Sequence, residues 1–218
     1  MKYFVFSIDD GTIFDEMTVS LFNKYGVRVT YNLNSGLDNY VWYKGDIPIT
    51  RLVLKDNVSL YKNHEIASHT LYHPYLESCS DEEVIRQVNE DVANLERIFQ
   101  RKVVSFATPF HTSGEREVSL IRENTQIRNI RLSQIDETFK LPEDPYHFKI
   151  TALDINRALY LFNDFIKDNT AQIFIYAGHS YDFYVDNSFD KLEELLKKIT
   201  QQDDIMVLPM GELADIFF

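Results

Sequence analysis

Apolar positions along the chain fall into short runs rich in Val, Ile, Phe and Tyr, separated by longer amphipathic stretches. The short runs predict β-strands at residues 3–8, 27–32, 64–68, 103–108, 126–131, 147–153, 172–177 and 205–208. The clearest helical pattern spans residues 81–100. There Val84, Ile85, Val88, Val92, Leu95, Ile98 and Phe99 return with helical period and form one apolar stripe. Ser80 with Glu83 three residues on predicts a capping box at its start. Weaker helices are predicted at 14–25, 115–124, 155–168, 189–200 and 211–217. Strand–helix alternation of this kind implies an α/β fold with a mainly parallel sheet, and seven or eight strands are enough to close it into a barrel. No Pro-, Gly- or Ser-rich linker divides the chain, so one domain over residues 1–218 is expected. In such folds chemistry gathers at the carboxyl ends of the strands.

Composition narrows the field. The formal net charge is −12, with acids spread along the chain, which argues against non-specific nucleic-acid binding. One cysteine, Cys79, excludes an internal disulfide. No run approaches the ~18 apolar residues of a membrane span. The N-terminal stretch turns polar too early for a signal peptide, so a cytoplasmic location is expected.

The predicted strand ends carry the candidate chemistry. The first ends in Asp9-Asp10-Gly11, the third in "SHTLYHP" with His69 and His73, the fourth in "TPFHTSG", and the strand at 172–177 runs into Gly178-His179-Ser180. The outline D-G-T-I after Asp9 also suits an aspartyl-phosphate phosphatase. That chemistry needs a nucleophilic Asp three residues before the glycine, where this chain has Ile8, and an isoleucine forms no acyl phosphate. Asp15, the third acid of the stretch, is expected at the start of the first helix, where negative charge is favourable. His69 and His73 are spaced i, i+4 and would face the same way on a helical turn, a spacing suited to chelation. With a strand-end carboxylate they make a two-His, one-carboxylate set for a catalytic divalent metal. Of two adjacent acids, one can bind the metal and the other take a proton from attacking water. His179 is the spare strand-end group for protonating a leaving amine or alcohol.

These residues, in order, resemble the motifs of the polysaccharide deacetylases, also called carbohydrate esterase family four or the NodB-homology domain. "SIDDG" is similar to T-F-D-D-G, "HEIASHTLYHP" to the H-[ST]-x-x-H motif, and "SFATPFHTSG" to a variant third motif, F-A-Y-P-Y-G. "IRNIRLSQIDETFKLPEDPYHFKIT" and "FIYAGHSYDF" resemble two segments of one bacterial branch. The resemblance implies a distorted (β/α) barrel of about seven strands. It implies metal-dependent hydrolysis of an N-acetyl, less often an O-acetyl, group on a carbohydrate. On matching positions it makes Asp9 the general base and His179 the general acid. Asp10, His69 and His73 become ligands of a divalent metal, commonly zinc, and a backbone N–H near Phe110 helps bind the oxyanion.

Departures from the pattern set further expectations. The third motif's arginine is replaced by Ala107, and Arg131 is the candidate to stand in. The motif's glycine is His111, and Asp154 is a candidate for orienting His179. The aromatic stretches 38–45 and 181–187 read as loops, packed onto the barrel in preference to stacking on sugar rings. His64 and His147 read as structural. Two other activities are compatible: allantoinase-like hydrolysis of another small amide, and carbohydrate binding with a weakened site.

Overall fold

A computed structural model of the protein describes residues 1–110 and 114–218. The main sheet is built from β1 (Lys2–Asp9), β2 (Thr30–Leu33), β5 (Glu65–Ser68), β6 (Ser105–Ala107), β7 (Asn129–Ile135), β8 (Phe148–Ile150), β9 (Ile173–His179) and β10 (Ile205–Val207). All its pairings are parallel. β1 is central. It pairs with β9 from Tyr3 to Asp9, with β10 over Lys2–Phe4 and with β2 over Ser7–Asp9. From β2 the order runs through β5, β6 and β7 to β8, and the sheet curls until β8 approaches β9. The two ends meet at one parallel bridge, Ala152 to Tyr176, supported by Thr151 N–H donating to the Ile175 carbonyl at 2.8 Å. The distorted α/β barrel expected from the sequence is therefore present.

Alternation along β1 sorts its side chains. Phe4, Phe6 and Ile8 face the helices and join the main apolar core. Val5 joins a smaller cluster with Phe148, Ile173 and Ile175, while Asp9 joins the polar interior at the strand's carboxyl end. The helices are α1 (Asp15–Lys24), α2 (Asp81–Phe99), α3 (Glu115–Asn124), α4 (Ile155–Lys167), α5 (Ser180–Val185), α6 (Phe189–Thr200) and α7 (Met210–Phe217). Helix α2 buries Val84, Val88, Val92, Leu95 and Phe99 from the stripe read in the sequence. Ser80 caps it by accepting the Glu83 N–H, but the Glu83 carboxylate turns to Arg86 and Gln87, so only half of the expected capping box forms. At the amino ends of the strands, α7 plugs the barrel with Met210 and Leu213.

Both stretches read as loops are regular. Residues 38–45 contribute to an antiparallel hairpin of β3 (Val41–Lys44) and β4 (Ile47–Thr50), turned at Gly45 with φ of 61°. The 181–187 stretch mostly forms α5. Asp15 does begin α1, but burial and not a helix dipole sets its character. It is fully buried, accepts the Tyr61 hydroxyl at 2.7 Å, and has its pKa pushed up to about 7 by desolvation.

Candidate functional site

At the carboxyl end of β1, Asp9 still pairs with β2 and β9, whereas Asp10 leaves the sheet with φ of 86°. The two adjacent acids thus enter different surroundings. Asp9 accepts Asn32 Nδ2 at 2.7 Å and Arg131 Nη2 at 2.6 and 2.7 Å. β7 places Arg131 directly beside Ala107 of β6, and from that neighbouring strand its guanidinium reaches Asp9. Burial alone would raise the Asp9 pKa. The Arg131 charge, helped by His179, outweighs it and holds the carboxyl below its ordinary value.

Asp10 is held by a different arginine. Arg51, just after β4, sets Nη2 2.9 Å from Asp10 Oδ1 and donates through Nη1 to the Asp10 carbonyl. Tyr181 directs its hydroxyl to Oδ2 at 3.4 Å. Burial again opposes ionisation and is outweighed, first by Arg51 and then by His179, so Asp10 too stays well below the usual carboxylate range.

His69 extends from the end of β5. Its Nδ1 lies 2.8 Å from the Ala107 carbonyl, which accepts from it and leaves Nε2 as the free lone pair. That nitrogen is 3.9 Å from Asp9 Oδ2 and 4.0 Å from Asp10 Oδ1. His73 Nε2 lies 3.6 Å from the same Asp10 oxygen. The two histidines do not share a helical turn. Thr70 and His73 have φ of 70° and 53°, and the loop brings the rings together with centroids 4.8 Å apart. Burial lowers both imidazole pKa values, His73 to about 3, so both are neutral and able to donate a lone pair. One ligand atom each from Asp10, His69 and His73 lies within 4.8 Å of the others, a set compatible with one divalent cation.

His179 ends β9 with Nε2 3.7 Å from Asp10 Oδ2. Its Nδ1–H donates to Asp182 at 2.8 Å. Burial lowers its pKa, but the Asp182 hydrogen bond and the charges of Asp10, Asp182 and Asp9 overcome this and push it up to about 9. Asp154 does not take the orienting role considered for it. Its carboxylate caps α4 by accepting Arg157 N–H at 2.9 Å. Phe110 stands at the rim with φ of 55°, its ring stacked on Tyr75 at 3.9 Å. His111 lies outside the described residues. His64 and His147 sit away from this cluster. His64 is buried against Tyr31, and His147 pairs with Asp144 at 2.8 Å.

Asp9, Asp10, His69, His73, Arg131, His179 and Phe110 all line one cavity of about 590 Å³. Leu37, Tyr40, Trp42, Tyr72 and Tyr181 give it an aromatic and apolar wall. A separate cavity of about 460 Å³, beside α3 and residues 139–144, contains none of these seven groups. Arg51, Asn32 and Asp182 were not found from the sequence. Only Asp182 carried a local signal, lying i+3 from His179 at a helix start.

The profile described as polysaccharide deacetylase matches residues 1–127. The chain belongs to the polysaccharide deacetylase family. A similar solved structure is a family 4 carbohydrate esterase pseudoenzyme from Bacillus anthracis, 18% identical, with a TM-score of 0.64, covering 98% of this chain and 66% of its own. This deacetylase-family chain therefore spans about two thirds of that protein's length. A family 4 acetyl xylan esterase from Clostridium thermocellum, solved with cobalt, is 12% identical with a TM-score of 0.63, covering 99% of this chain and 91% of its own. A peptidoglycan deacetylase from Bacillus subtilis is 15% identical with a TM-score of 0.64, again covering 99% and 91%. At these identities the likeness is one of fold. No curated protein sequence matches the chain.

Proposed function

We propose that the protein is a metal-dependent hydrolase that removes an acetyl group from a sugar, oligosaccharide or polysaccharide, with N-acetyl preferred to O-acetyl. The observation that carries this reading is the separate pairing of two adjacent acids. His69 Nε2 is near both acids, but His73 Nε2 faces Asp10 Oδ1 at 3.6 Å, while Arg131 holds both oxygens of Asp9 and Asn32 holds one. The donor chemistry fits a divalent cation, with zinc the first choice for two imidazoles and one carboxylate. Asp10, His69 and His73 would hold it, and when bound it polarises an acetyl carbonyl and eases deprotonation of water.

The remaining roles fall to the chain itself. Asp9, kept ionised by Arg131, accepts the proton of the attacking water. Asn32 and Arg131 fix the direction of its carboxylate. His179, kept protonated by Asp182, gives a proton to the leaving amine nitrogen, so water and the amide become acetate and free amine. A backbone N–H near Phe110 stabilises the developing oxyanion. The aromatic wall of the cavity offers faces on which a sugar ring can stack, and carbohydrate is accordingly the proposed substrate class.

Acetate release from chitooligosaccharides, peptidoglycan fragments and acetylated xylan, measured beside metal content, tests the reading. Release from at least one of these by protein carrying about one divalent ion is expected. Protein that takes up no divalent ion and releases no acetate from any of them would refute it. Sugar binding without acetate release would instead support a silent, carbohydrate-binding relative.

A further inference from the structure

Arg51 is only 5% exposed, yet it comes from the segment that closes the β3–β4 hairpin and not from the barrel. The hairpin fixes it firmly. Arg51 N–H donates to the Tyr40 carbonyl at 2.9 Å, Leu52 N–H donates to the Gly11 carbonyl at 2.9 Å, and Thr12 bridges to Arg51. The indole of Trp42 lies 5.2 Å from the guanidinium carbon. Through Nη1, Arg51 also donates to Asn34 Oδ1. The amide of Asn34 in turn donates to the carbonyls of His69 and Thr70, at the root of the histidine loop.

The oxygen that Arg51 engages is the decisive detail. Asp10 Oδ1 lies 2.9 Å from Arg51 Nη2, and that same oxygen faces His73 Nε2 at 3.6 Å and His69 Nε2 at 4.0 Å. A cation held by those three atoms therefore shares its only carboxylate with a buried guanidinium that is always charged. Two positive charges a few ångströms apart in a poorly solvated site repel. The guanidinium also meets the need of Asp10 for a counter-charge when no metal is bound.

Building on the metal reading above, we infer that Arg51 is a fixed counter-cation for Asp10. It stabilises the metal-free site and weakens divalent-cation binding, so that the metal is exchangeable. Trp42 and Asn34 hold the guanidinium in place for this. Arg51 is a positioning residue, since it acts through Asp10 and not on the substrate.

The test titrates chelator-stripped protein with Zn²⁺ and with Co²⁺ and records the melting temperature with and without each ion. The wild type is compared with Arg51→Gln, which loses the charge, and Arg51→Lys, which keeps it. Arg51→Gln is expected to bind both ions about tenfold tighter or more. It should melt lower than the wild type without metal and gain more on metal addition. Arg51→Lys should bind within about threefold of the wild type, because the repelling charge remains. Should Arg51→Gln fail to fold, Arg51→Met, which keeps an aliphatic stem against Trp42, takes its place under the same criterion. A wild type that binds while the uncharged variant binds no tighter overturns the role of Arg51 and leaves the metal reading standing. If no form binds either ion, the metal reading fails and this inference falls with it.

Discussion

The barrel buries carboxylates in two kinds of surroundings, and these treat them in opposite ways. At the carboxyl end, Asp9 and Asp10 each meet an arginine, and both stay ionised despite burial. At the amino end, Glu65 is held by neutral donors: Thr30 at 2.7 Å, Ser105 at 2.6 Å, and the Gly211 N–H of α7 at 3.1 and 3.2 Å. Burial there wins, and the Glu65 pKa is raised. Hydrogen bonds alone satisfy an acid's geometry; a paired cation keeps it charged. Asp91 on α2 follows the Glu65 pattern although Ser68 closes β5 at its carboxyl end, so the partner and not the end of the barrel decides. It accepts Ser68 Oγ at 2.6 Å and Ser35 N–H at 2.7 Å, and burial pushes it up to about 7. The contrast separates acids available for chemistry from acids that serve the fold.

The largest effect is expected from Asp9→Asn. Turnover should fall about 10²–10⁴-fold, the usual worth of a general base, while divalent-ion uptake measured by metal analysis persists. Asp10→Asn should weaken metal uptake as well. Equal loss of metal in both variants would erase the division between the two acids. Next comes Asp182→Asn, read in the pH profile of kcat/KM. His179 must be protonated to act as an acid, so activity is lost as pH rises through its pKa of about 9. Without the Asp182 charge that pKa drops, and the alkaline limb should move towards acid by about one unit or more. An unmoved limb would remove Asp182 from the proton path.

Asp91→Asn probes stability and not rate. The folded pKa of Asp91 lies above its ordinary value of 3.8, so its contribution is full below that value and is lost as pH rises through about 7. The amide should flatten denaturant stability across this window and be about 1–2 kcal/mol more stable than the wild type at alkaline pH. A variant less stable at every pH would mean that Asp91 is ionised in the fold. The smallest change is expected for Glu65→Gln. An amide can still accept from Ser105 and Gly211 and donate to Thr30, so stability should stay within about 1 kcal/mol and kcat should not change. A rate loss there would dissolve the distinction between arginine-paired acids and acids held by neutral donors.

The chain order of the site was legible because each group follows a strand end. Asp9, Asp10, His69, His73 and His179 are marked by sequence position, and the curl of the sheet brings them together. Arg131 was legible as a candidate, but its pairing with Asp9 depends on the β6–β7 register, which no local pattern states. Arg51 was silent. It follows a hairpin whose Pro48 argues against a strand, and only the fold carries it to Asp10. Strand limits shifted for a similar reason. β7 runs from Asn129 to Ile135 instead of 126–131, because pairing with β6 and β8 decides where it begins and ends. Helix α2 was read nearly to the residue, since its periodic stripe is a local signal.

Four non-glycine residues in and around the cavity, Asp10, Thr70, His73 and Phe110, have backbones in the left-handed region. Each such residue costs on the order of 1–2 kcal/mol relative to a relaxed conformation. Glycine or asparagine would sit there more comfortably, but neither could replace the carboxylate of Asp10 or the imidazole of His73. Selection for thermal robustness alone would therefore drift towards Gly and Asn at these positions, at the expense of the two proposed ligands Asp10 and His73.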